Sequence, residues 1–254
     1  MKTILVLASL VLSSASFAGE NPIYRLFPAE ITYLQHFDDG TGLPDVGTVD
    51  RTRQKASQLE FAEGGVFGKC LAAGEVSGDF DASGRPFIDL AGSGTVICWV
   101  RYMEDVPEGK NPGITYFSCA LDPDPKTWRR LLMMKQSGIG WMNFFYEYVT
   151  DKRYVVCANT DLSFQHWKKG EWKMTVATWT QDKIGFSQDG APLVETAYEE
   201  KLAPMKGRFA IVAPAVGGKG RFYQVDEFAI LNRKLSNEEI RTLYDETVKE
   251  RNRR

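Results

Sequence analysis

The sequence predicts an all-β protein, a jelly-roll sandwich of two antiparallel sheets with one amphipathic helix at its C-terminal end. About ten short segments rich in β-branched and aromatic residues follow one another between turn residues, and no helical pattern alternates with them. Aromatic residues make up 12% of the chain, which supports a thick core between two sheets. Only the last segment has the periodicity of a surface helix.

The N-terminus has the pattern of an export signal. Lys2 precedes a short apolar run, Ile4 to Leu12, and Ser16-Phe17-Ala18 is a small-x-small cleavage site. The apolar run is too short to serve as a transmembrane anchor. We therefore interpret residues 1–18 as a signal peptide that is cleaved near Ala18. We expect an exported chain that is secreted, periplasmic or held at the cell surface.

The rest of the chain divides into three parts. Residues 19–30 are a lead-in segment that Pro22 and Pro28 interrupt, and residues 31–248 are predicted to form one folded domain. Residues 249–254 form a basic tail, which complements the dipole at the end of the preceding helix. The formal net charge of −2 gives no indication of a nucleic-acid partner.

The strands are predicted from runs of β-branched and aromatic residues, each bounded by Gly, Pro, Asn or Asp. In chain order they are residues 32–37, 63–73, 95–102, 114–120, 129–135, 141–150, 154–159, 170–180, 183–187, 208–214 and 223–231. Asp189-Gly190 is a hairpin turn, because both residue types readily adopt positive φ. Many short strands with regular turn signals are typical of a sandwich.

The segment after the last strand carries the helix signals. Ser236 and Glu239 have the spacing of a capping box, in which each side chain accepts a hydrogen bond from the other residue's backbone N–H. Ile240, Leu243 and Tyr244 then recur at helical spacing and form one apolar stripe. We expect this stripe to pack on the sandwich, since most helical stability in proteins comes from such packing.

Four cysteines and two histidines limit the possible chemistry. An exported protein can form disulfides among Cys70, Cys98, Cys119 and Cys157. Three of these cysteines, however, lie in apolar strand-like runs, where a thiol packs as a small hydrophobic group. Their pairing therefore stays open. No C-x-x-C spacing occurs, which argues against a zinc site.

Five stretches, in chain order, carry a resemblance to a known superfamily. They are FDDG at 37–40, GGVFGKCL at 64–71, GTVICWVR at 94–101, GEWKMTVATW with IGFSQDGAPL within 170–193, and VDEFAILNRKLSNEEIRTLY at 225–244. Together they resemble the laminin-G-like, concanavalin A-like lectin/glucanase superfamily in its bacterial exported form. Cys70 stands where that family usually has Ala, and Ser187-Gln188 departs from its hairpin motif. The resemblance implies a concanavalin A-like jelly roll, in agreement with the strand pattern.

The superfamily includes glucanases, which carry paired carboxylates on one strand in an E-x-D-x-E pattern. No predicted strand here has that pattern. Glu147 stands alone among aromatic residues, and the neighbours Asp226 and Glu227 are expected on opposite faces of their strand. His36 and His166 are interpreted as packed or surface residues. We therefore predict no catalytic residue and no enzyme, with an atypical glycoside hydrolase as the second alternative.

The resemblance also implies a structural calcium ion that joins the N-terminal segment to the last strand. Asp38 or Asp39 in the first loop and Asp226 in the last strand are the residues that could bind it, because calcium prefers carboxylate oxygens. In the alternative interpretation, Asp226 caps a turn or pairs with a cationic side chain. Calcium is the one cofactor that the sequence suggests, and both interpretations stay open.

Glycan binding through a concave sheet face is the predicted function, since a lectin site needs an aromatic surface and polar groups for the sugar hydroxyls. The candidate residues lie in or beside the central strands, which form the concave face in this architecture. They are Trp128, Trp141, Tyr146, Glu147, Tyr148 and Trp167. Trp99, Trp172 and Trp179 are expected in the core. The first alternative is a cell-surface structural or protein-interaction module.

Overall fold

The computed structural model describes residues 21–47, 59–78, 88–89, 91–103, 114–122, 129–135, 142–149, 152–159, 168–198, 208–213 and 223–254. Within these residues the chain is mostly β-strand, with two helices. The predicted all-β class is therefore confirmed. The predicted signal peptide, residues 1–18, lies outside the described residues and stays a prediction.

Thirteen strands lie within the described residues. They are β1 Ile31–Gln35, β2 Glu60–Glu63, β3 Lys69–Gly78, β4 Gly94–Tyr102, β5 Ile114–Asp122, β6 Arg129–Lys135, β7 Met142–Val149, β8 Arg153–Asn159, β9 Lys173–Trp179, β10 Lys183–Gln188, β11 Val194–Ala197, β12 Arg208–Ala213 and β13 Tyr223–Leu231. The two helices are α1 Pro22–Leu26 and α2 Asn237–Arg251. The strand pairs in this part of the chain are antiparallel.

The strands form one continuous ladder that bends into two halves. The first half has the order β11-β10-β9-β4-β13, with β1, β2 and β3 completing it, and the second half runs β3-β12-β5-β6-β7-β8. Strand β3 belongs to both halves, since its first residues pair with β2 and β13 and its last residues pair with β12. The change of partner comes at Gly74, where φ is 105°, a conformation that glycine adopts without strain.

An aromatic core fills the space between the two halves. Tyr33 packs edge-on against Phe209 with ring centroids 5.0 Å apart, and Phe209 stacks on Phe228 at 6.0 Å. The far edges of the halves also meet, because Thr196 Oγ1 of β11 donates to the Cys157 carbonyl of β8 at 2.8 Å. The strands therefore form a nearly closed β-sandwich around this core.

A second apolar cluster covers the outer face of the first half and holds both helices against it. Leu243 of α2 is fully buried there, and Trp99 of β4 stacks on Tyr244 with ring centroids 6.1 Å apart. The predicted capping box is confirmed. Ser236 N donates to Glu239 Oε2 at 2.8 Å, and Glu239 N donates to Ser236 Oγ at 3.2 Å.

Two helix boundaries differ from the sequence prediction. Helix α1 lies inside the predicted lead-in, where Pro22 occupies its first turn and the Asn21 side chain accepts a hydrogen bond from Ile23 N at 2.8 Å. Proline suits this position, since the N–H that it lacks has no partner in a first turn. Helix α2 continues to Arg251, so the predicted tail 249–254 begins inside the helix. Neither described helix has the length and apolar character that a membrane crossing needs.

The cysteine pairing that the sequence leaves open has a simple outcome in this structure. No disulfide joins Cys70, Cys98, Cys119 and Cys157, all of which lie within the described residues, and the first three are buried. Burial raises the pKa of the Cys157 thiol to about 11. The cysteines therefore pack as small apolar groups, as their strand-like surroundings indicate.

Candidate functional site

Strand β7 sorts the predicted ligand residues onto two faces. Its side chains alternate, so that Phe144, Tyr146 and Tyr148 belong to the interior cluster, whereas Phe145 and Glu147 do not. Tyr146 is fully buried and stacks on Tyr148 at a centroid distance of 5.0 Å. The prediction that these two tyrosines contact a ligand on the sheet surface is therefore wrong, because their register turns them into the core.

Glu147 is the predicted ligand residue that lies on the outward face of the second half. Trp128, Trp141 and Trp167 fall outside the described residues, and their part in the site stays a prediction. Glu147 is therefore the one predicted ligand residue on the described part of this face. The residues that surround it there are ones that the sequence analysis does not single out.

The register of the ladder decides which side chains surround Glu147. Directly across from it stand Arg130 of β6 and Val155 of β8. Val155 is 47% exposed, which leaves apolar surface beside the carboxylate. The next outward row consists of Leu132, Phe145 and Cys157. We call these two rows, together with Arg153, the β6–β8 face.

Glu147 is held between two arginines. Arg130 Nε donates to Glu147 Oε2 at 2.5 Å, and Arg153 Nη2 donates to Glu147 Oε1. The Glu147 side chain is 6% exposed, against 43% for Arg130 and 59% for Arg153. The carboxylate is thus covered, and the guanidinium groups are what this row presents to solvent. Charge-assisted bonds to both oxygens hold the three side chains in one arrangement.

A second polar cluster lies where the N-terminal segment meets the last strand. His36 Nδ1 donates to Glu227 Oε2 at 2.9 Å, and the Asn21 amide donates to the same oxygen. Both His36 and Glu227 are buried. Phe37 and Glu227 have φ angles of 65° and 49°, which are strained for residues other than glycine. The backbone is therefore strained at Glu227 and at Phe37, the residue next to His36.

A β-bulge brings Asp226 and Glu227 into the same cluster. The pairing of β13 with β4 shifts register between Asp226 and Ala229. Both carboxylates are buried, and both lie close enough to Asp38 to repel it. The expectation that these neighbours point to opposite faces is therefore wrong, because it assumes a regular strand and the bulge breaks the alternation.

Asp38 and Asp226 bind the same loop, residues 64–69, from two sides. Asp226 Oδ2 and Asp38 Oδ1 each accept a backbone N–H of that loop, at 2.5 and 3.1 Å. Glycine makes this approach possible. A Cβ at Gly65 would lie 2.6 Å from Asp226 Oδ2, and a Cβ at Gly68 would lie 2.3 Å from Asp38 Oδ1. Two of the three predicted calcium ligands are thus brought together.

Burial and mutual repulsion shape the electrostatics of this cluster. Burial raises the pKa of Asp38 to about 6, and the Glu227 carboxylate adds to the effect. Burial and the same carboxylate hold the pKa of Asp226 well above its ordinary range. Burial lowers the pKa of His36, but Glu227 outweighs it and raises that pKa to about 9. Three acidic groups, Asp38, Asp226 and Glu227, thus raise one another's energy when they are charged, and added positive charge would relieve this repulsion. The His36 imidazolium and the Arg254 side chain already lie in the same place.

The cluster suits a hard cation by its charge and by its open oxygens. Asp226 Oδ1 and Glu227 Oε1 are buried and accept no hydrogen bond from the described residues. A cavity of about 10 Å³, the size of one water molecule, lies beside Glu227. It is lined by Asn21, His36, Asp38, Phe67, Glu227 and Arg254. Among the described residues, no three His, Cys, Asp or Glu side chains converge as metal ligands. Calcium at this cluster therefore stays a prediction.

Asp39, the third predicted calcium ligand, lies apart from the cluster. It is exposed, and its two oxygens accept from Thr41 N at 2.8 Å and Thr41 Oγ1 at 2.6 Å. The side chain is engaged in closing its own turn. Asp38 is therefore the residue of the first loop that belongs with Asp226.

Sequence reasoning missed Asn21, His36 and Glu227 as members of this cluster. The Asn21-Pro22 pair is a helix-start signal, and reading it that way places the Asn21 side chain at a cap. The bulge at Glu227 has no comparable signal, because no glycine marks it. The role of His36 cannot be predicted either, because it depends on the contact with Glu227 and the sequence does not show which residue a single histidine will contact.

Comparison with known proteins gives a likeness of fold. No protein-family model and no curated protein matches the sequence. Among solved structures, the binding domain of Paraclostridial Mosquitocidal Protein 1 has a TM-score of 0.58 at 11% identity, with 85% of this chain and 52% of that chain covered. Domain 4 of AbnA, a GH43 extracellular arabinanase from Geobacillus stearothermophilus, was solved in complex with arabinotriose. It has a TM-score of 0.54 at 15% identity, with 85% and 98% covered.

A third structure, the botulinum neurotoxin serotype D ligand binding domain, was solved in complex with N-acetylneuraminic acid. Its TM-score is 0.57 at 12% identity, with 89% of this chain and 52% of that chain covered. This chain thus spans about half the length of the toxin domains and nearly all of the arabinanase domain. At such identities the likeness concerns the fold alone, and the chain shares the β-sandwich fold of these domains.

Proposed function

We propose that this protein is an exported, non-catalytic carbohydrate-binding domain whose ligand surface is the β6–β8 face. One observation carries the proposal: the row Arg130–Glu147–Val155 places a fixed carboxylate–guanidinium group beside exposed apolar surface. Sugar rings need both kinds of contact, since their hydroxyls form hydrogen bonds and their C–H faces pack on apolar groups. The predicted signal peptide, residues 1–18, supports export.

The rigidity of this face favours binding. Arg130 and Arg153 are long side chains that would lose rotamer freedom on contact with a ligand, at about 0.5–1.5 kcal/mol each. Their bonds to Glu147 order them beforehand. Leu132 and Phe145 form a nearly buried apolar floor next to them. A ligand would therefore meet groups that are already in place.

The proposal includes the finer fold assignment, a concanavalin A-like jelly roll of the laminin-G-like type. The two antiparallel halves, the helix α2 after the last strand and the five sequence stretches support it. In that architecture the concave sheet is the binding face, and the β6–β8 face lies on the half that the helices leave uncovered. Two structures of similar fold were solved with sugars bound, which supports a glycan ligand for this chain.

The same face supports binding rather than hydrolysis. Glu147 is the sole carboxylate among the described residues of β6–β8, and a glycoside hydrolase needs a pair of carboxyl groups. Both of its oxygens accept bonds from arginine, so neither is placed to exchange a proton with a glycosidic oxygen.

The second cluster is proposed as a structural calcium site rather than as a ligand surface. Asp38 and Asp226 connect the first loop, the 64–69 loop and the last strand, which is the place that the resemblance implies. Bound there, calcium would supply the positive charge that the buried carboxylates lack. The open oxygens Asp226 Oδ1 and Glu227 Oε1 support this assignment.

A glycan array probed with the purified protein, in calcium and in a chelator, tests the carbohydrate-binding proposal. We expect binding to a restricted set of glycans. Glu147→Ala should weaken that binding by about tenfold or more, because it releases both arginines, and circular dichroism should show that the variant is folded. Glu238→Ala, at an exposed position of α2, is the matched control and should bind as the parent does.

Two array results would contradict the proposal. Absence of binding in both buffers would remove the glycan and leave the protein-interaction module as the function to test. Release of a sugar from an array glycan would establish hydrolysis and would overturn the non-catalytic assignment.

A further inference from the structure

We infer that the glycan recognised by the β6–β8 face carries carboxylate groups, as uronic or sialic acids do. This inference rests on the proposed function and narrows it from carbohydrates in general to acidic carbohydrates. Three features carry it: the local charge, the exposure pattern around Glu147, and the geometry that arginine offers to a carboxylate.

The local charge of this face has the opposite sign to that of the whole chain. The chain has a formal net charge of −2. The described residues of the β6–β8 face instead include one acidic side chain, Glu147, and two cationic ones, Arg130 and Arg153. An acidic ligand would therefore approach a locally positive surface on a protein that is negative elsewhere.

Two further cationic residues, Arg129 and Lys152, stand at the same end of the strands, but strand alternation gives them the opposite parity to Arg130 and Arg153. Lys152 Nζ lies 5.1 Å from the ring centroid of Tyr154, which stacks on Tyr148 of the interior cluster. The outward cationic groups are therefore the two arginines. Lys135 is buried at the other end and takes no part.

The exposure pattern decides which charge a ligand meets. The Glu147 side chain is 6% exposed, and its two oxygens accept bonds from Arg130 and Arg153. The arginines keep 43% and 59% of their side-chain surfaces in solvent. A ligand above this row therefore contacts guanidinium groups and not the carboxylate.

The shape of the arginine side chain also suits a carboxylate. Its planar guanidinium group matches a planar carboxylate through two parallel N–H···O bonds. Arg130 and Arg153 each donate one charge-assisted bond to Glu147, one to each carboxylate oxygen, so both arginines are directed at one carboxylate-sized target. Val155 supplies apolar surface next to them for the C–H face of the sugar ring.

Matched pairs of glycans that differ in the carboxylate test the inference. We would compare a galacturonic acid trimer with its methyl ester, and sialyllactose with lactose, by isothermal titration calorimetry. The acidic member of at least one pair should bind about tenfold more tightly or better, as expected for a charge-assisted contact. Its affinity should also fall as salt is raised from about 50 to 300 mM, because the arginines are partly exposed.

Charge-matched variants locate the effect. Arg153→Gln should weaken binding of the acidic glycan by about fivefold or more and should change binding of neutral glycans little. Arg241→Gln removes the same charge from an exposed residue of α2, on the helix-covered half, and should leave affinity unchanged. Thermal melts should show that both variants are folded, as expected for surface substitutions.

The outcomes separate this inference from the proposed function. Equal binding within both pairs, or array binding confined to neutral glycans, would overturn the inference and leave glycan binding standing. Equal binding of a sulfated trimer would overturn the preference for carboxylate. An equal loss in Arg241→Gln would show a diffuse charge effect and would overturn the site. Absence of any glycan binding would remove the proposed function together with the inference.

Discussion

Phe37 and Glu227 adopt the same unusual backbone conformation on the two sides of one contact. Positive φ at such residues costs on the order of 1–3 kcal/mol each, so the surroundings must hold it in place. The bond between His36 and Glu227 joins the two strained segments, with Asn21 closing the group from the N-terminal helix. The stability of this cluster should therefore depend strongly on the protonation of His36.

In a buffer that contains a chelator, stability is expected to fall as the pH rises from about 6.5 to 9. Burial lowers the pKa of His36, but Glu227 outweighs it and raises the pKa to about 9, above the ordinary value of 6.5. A raised histidine pKa stabilises the fold fully below 6.5, and this contribution is lost as the pH passes 9. Asp45 and Asp38 act on His36 in the same direction as Glu227. Thermal melts across this range should show a loss of up to about 3 kcal/mol.

His36→Gln tests the origin of this pH dependence. Glutamine can still donate to Glu227 and does not titrate, so the variant should flatten the profile between pH 6.5 and 9. The chain has one other histidine, and His166→Gln should leave the slope unchanged. A slope that persists in His36→Gln would show that another group is responsible. Asp38, with a pKa raised to about 6, would instead act between pH 3.8 and 6.

Strand alternation decides on which face of the sandwich each candidate ligand residue lies. The run Tyr146-Glu147-Tyr148 suggests one continuous polar and aromatic surface, and the structure divides it between the core and the β6–β8 face. The sequence shows that such residues alternate. Which parity faces outward depends on the opposing half of the sandwich, and no local pattern contains that information.

Elements with strong local signals are the ones that the sequence predicts well. Helix α2 has its capping box and apolar stripe within one short segment, and the structure confirms both. Helix α1 is not predicted, because Pro22 suggests an interruption, although proline is favourable in a first turn. The bulge at Asp226 and Glu227 was missed for a different reason, since it arises from pairing with β4 and not from the strand itself.

The packing of α2 gives a prediction at the scale of the element. Leu243 is fully buried between the helix and the outer face of the first half. Leu243→Ala should lower the free energy of unfolding by about 2–5 kcal/mol, through lost apolar burial and a cavity. Thr242→Ala, one position earlier and exposed, should change it by about 0.5 kcal/mol or less. Urea denaturation measures both, and equal stability of the two variants would show that α2 does not pack as described.

At the scale of the whole molecule, the sequence predicts the fold class and the positions of most strands, but not their order in the ladder. Turn residues and apolar runs are local, so strand boundaries can be inferred from them. Pairing joins distant segments, as when β13 lies between β4 on one side and β1 and β3 on the other. Only the pairing shows that β3 belongs to both halves, although Gly74 marks the position of its bend in the sequence.

The second cluster connects three distant parts of the chain, so calcium there should stabilise the molecule as a whole. We expect saturating calcium, relative to a chelator, to raise the melting temperature by about 5–10 °C, since a ligand at about 100 times its Kd adds about 2.7 kcal/mol. Asp226→Asn should abolish this response, because its open Oδ1 is buried beside Glu227. Asp39→Asn should retain it, because that carboxylate is engaged with Thr41 at the surface. A melting temperature that calcium leaves unchanged in the parent protein would contradict the site, and the imidazolium of His36 would then be the cation that this cluster uses.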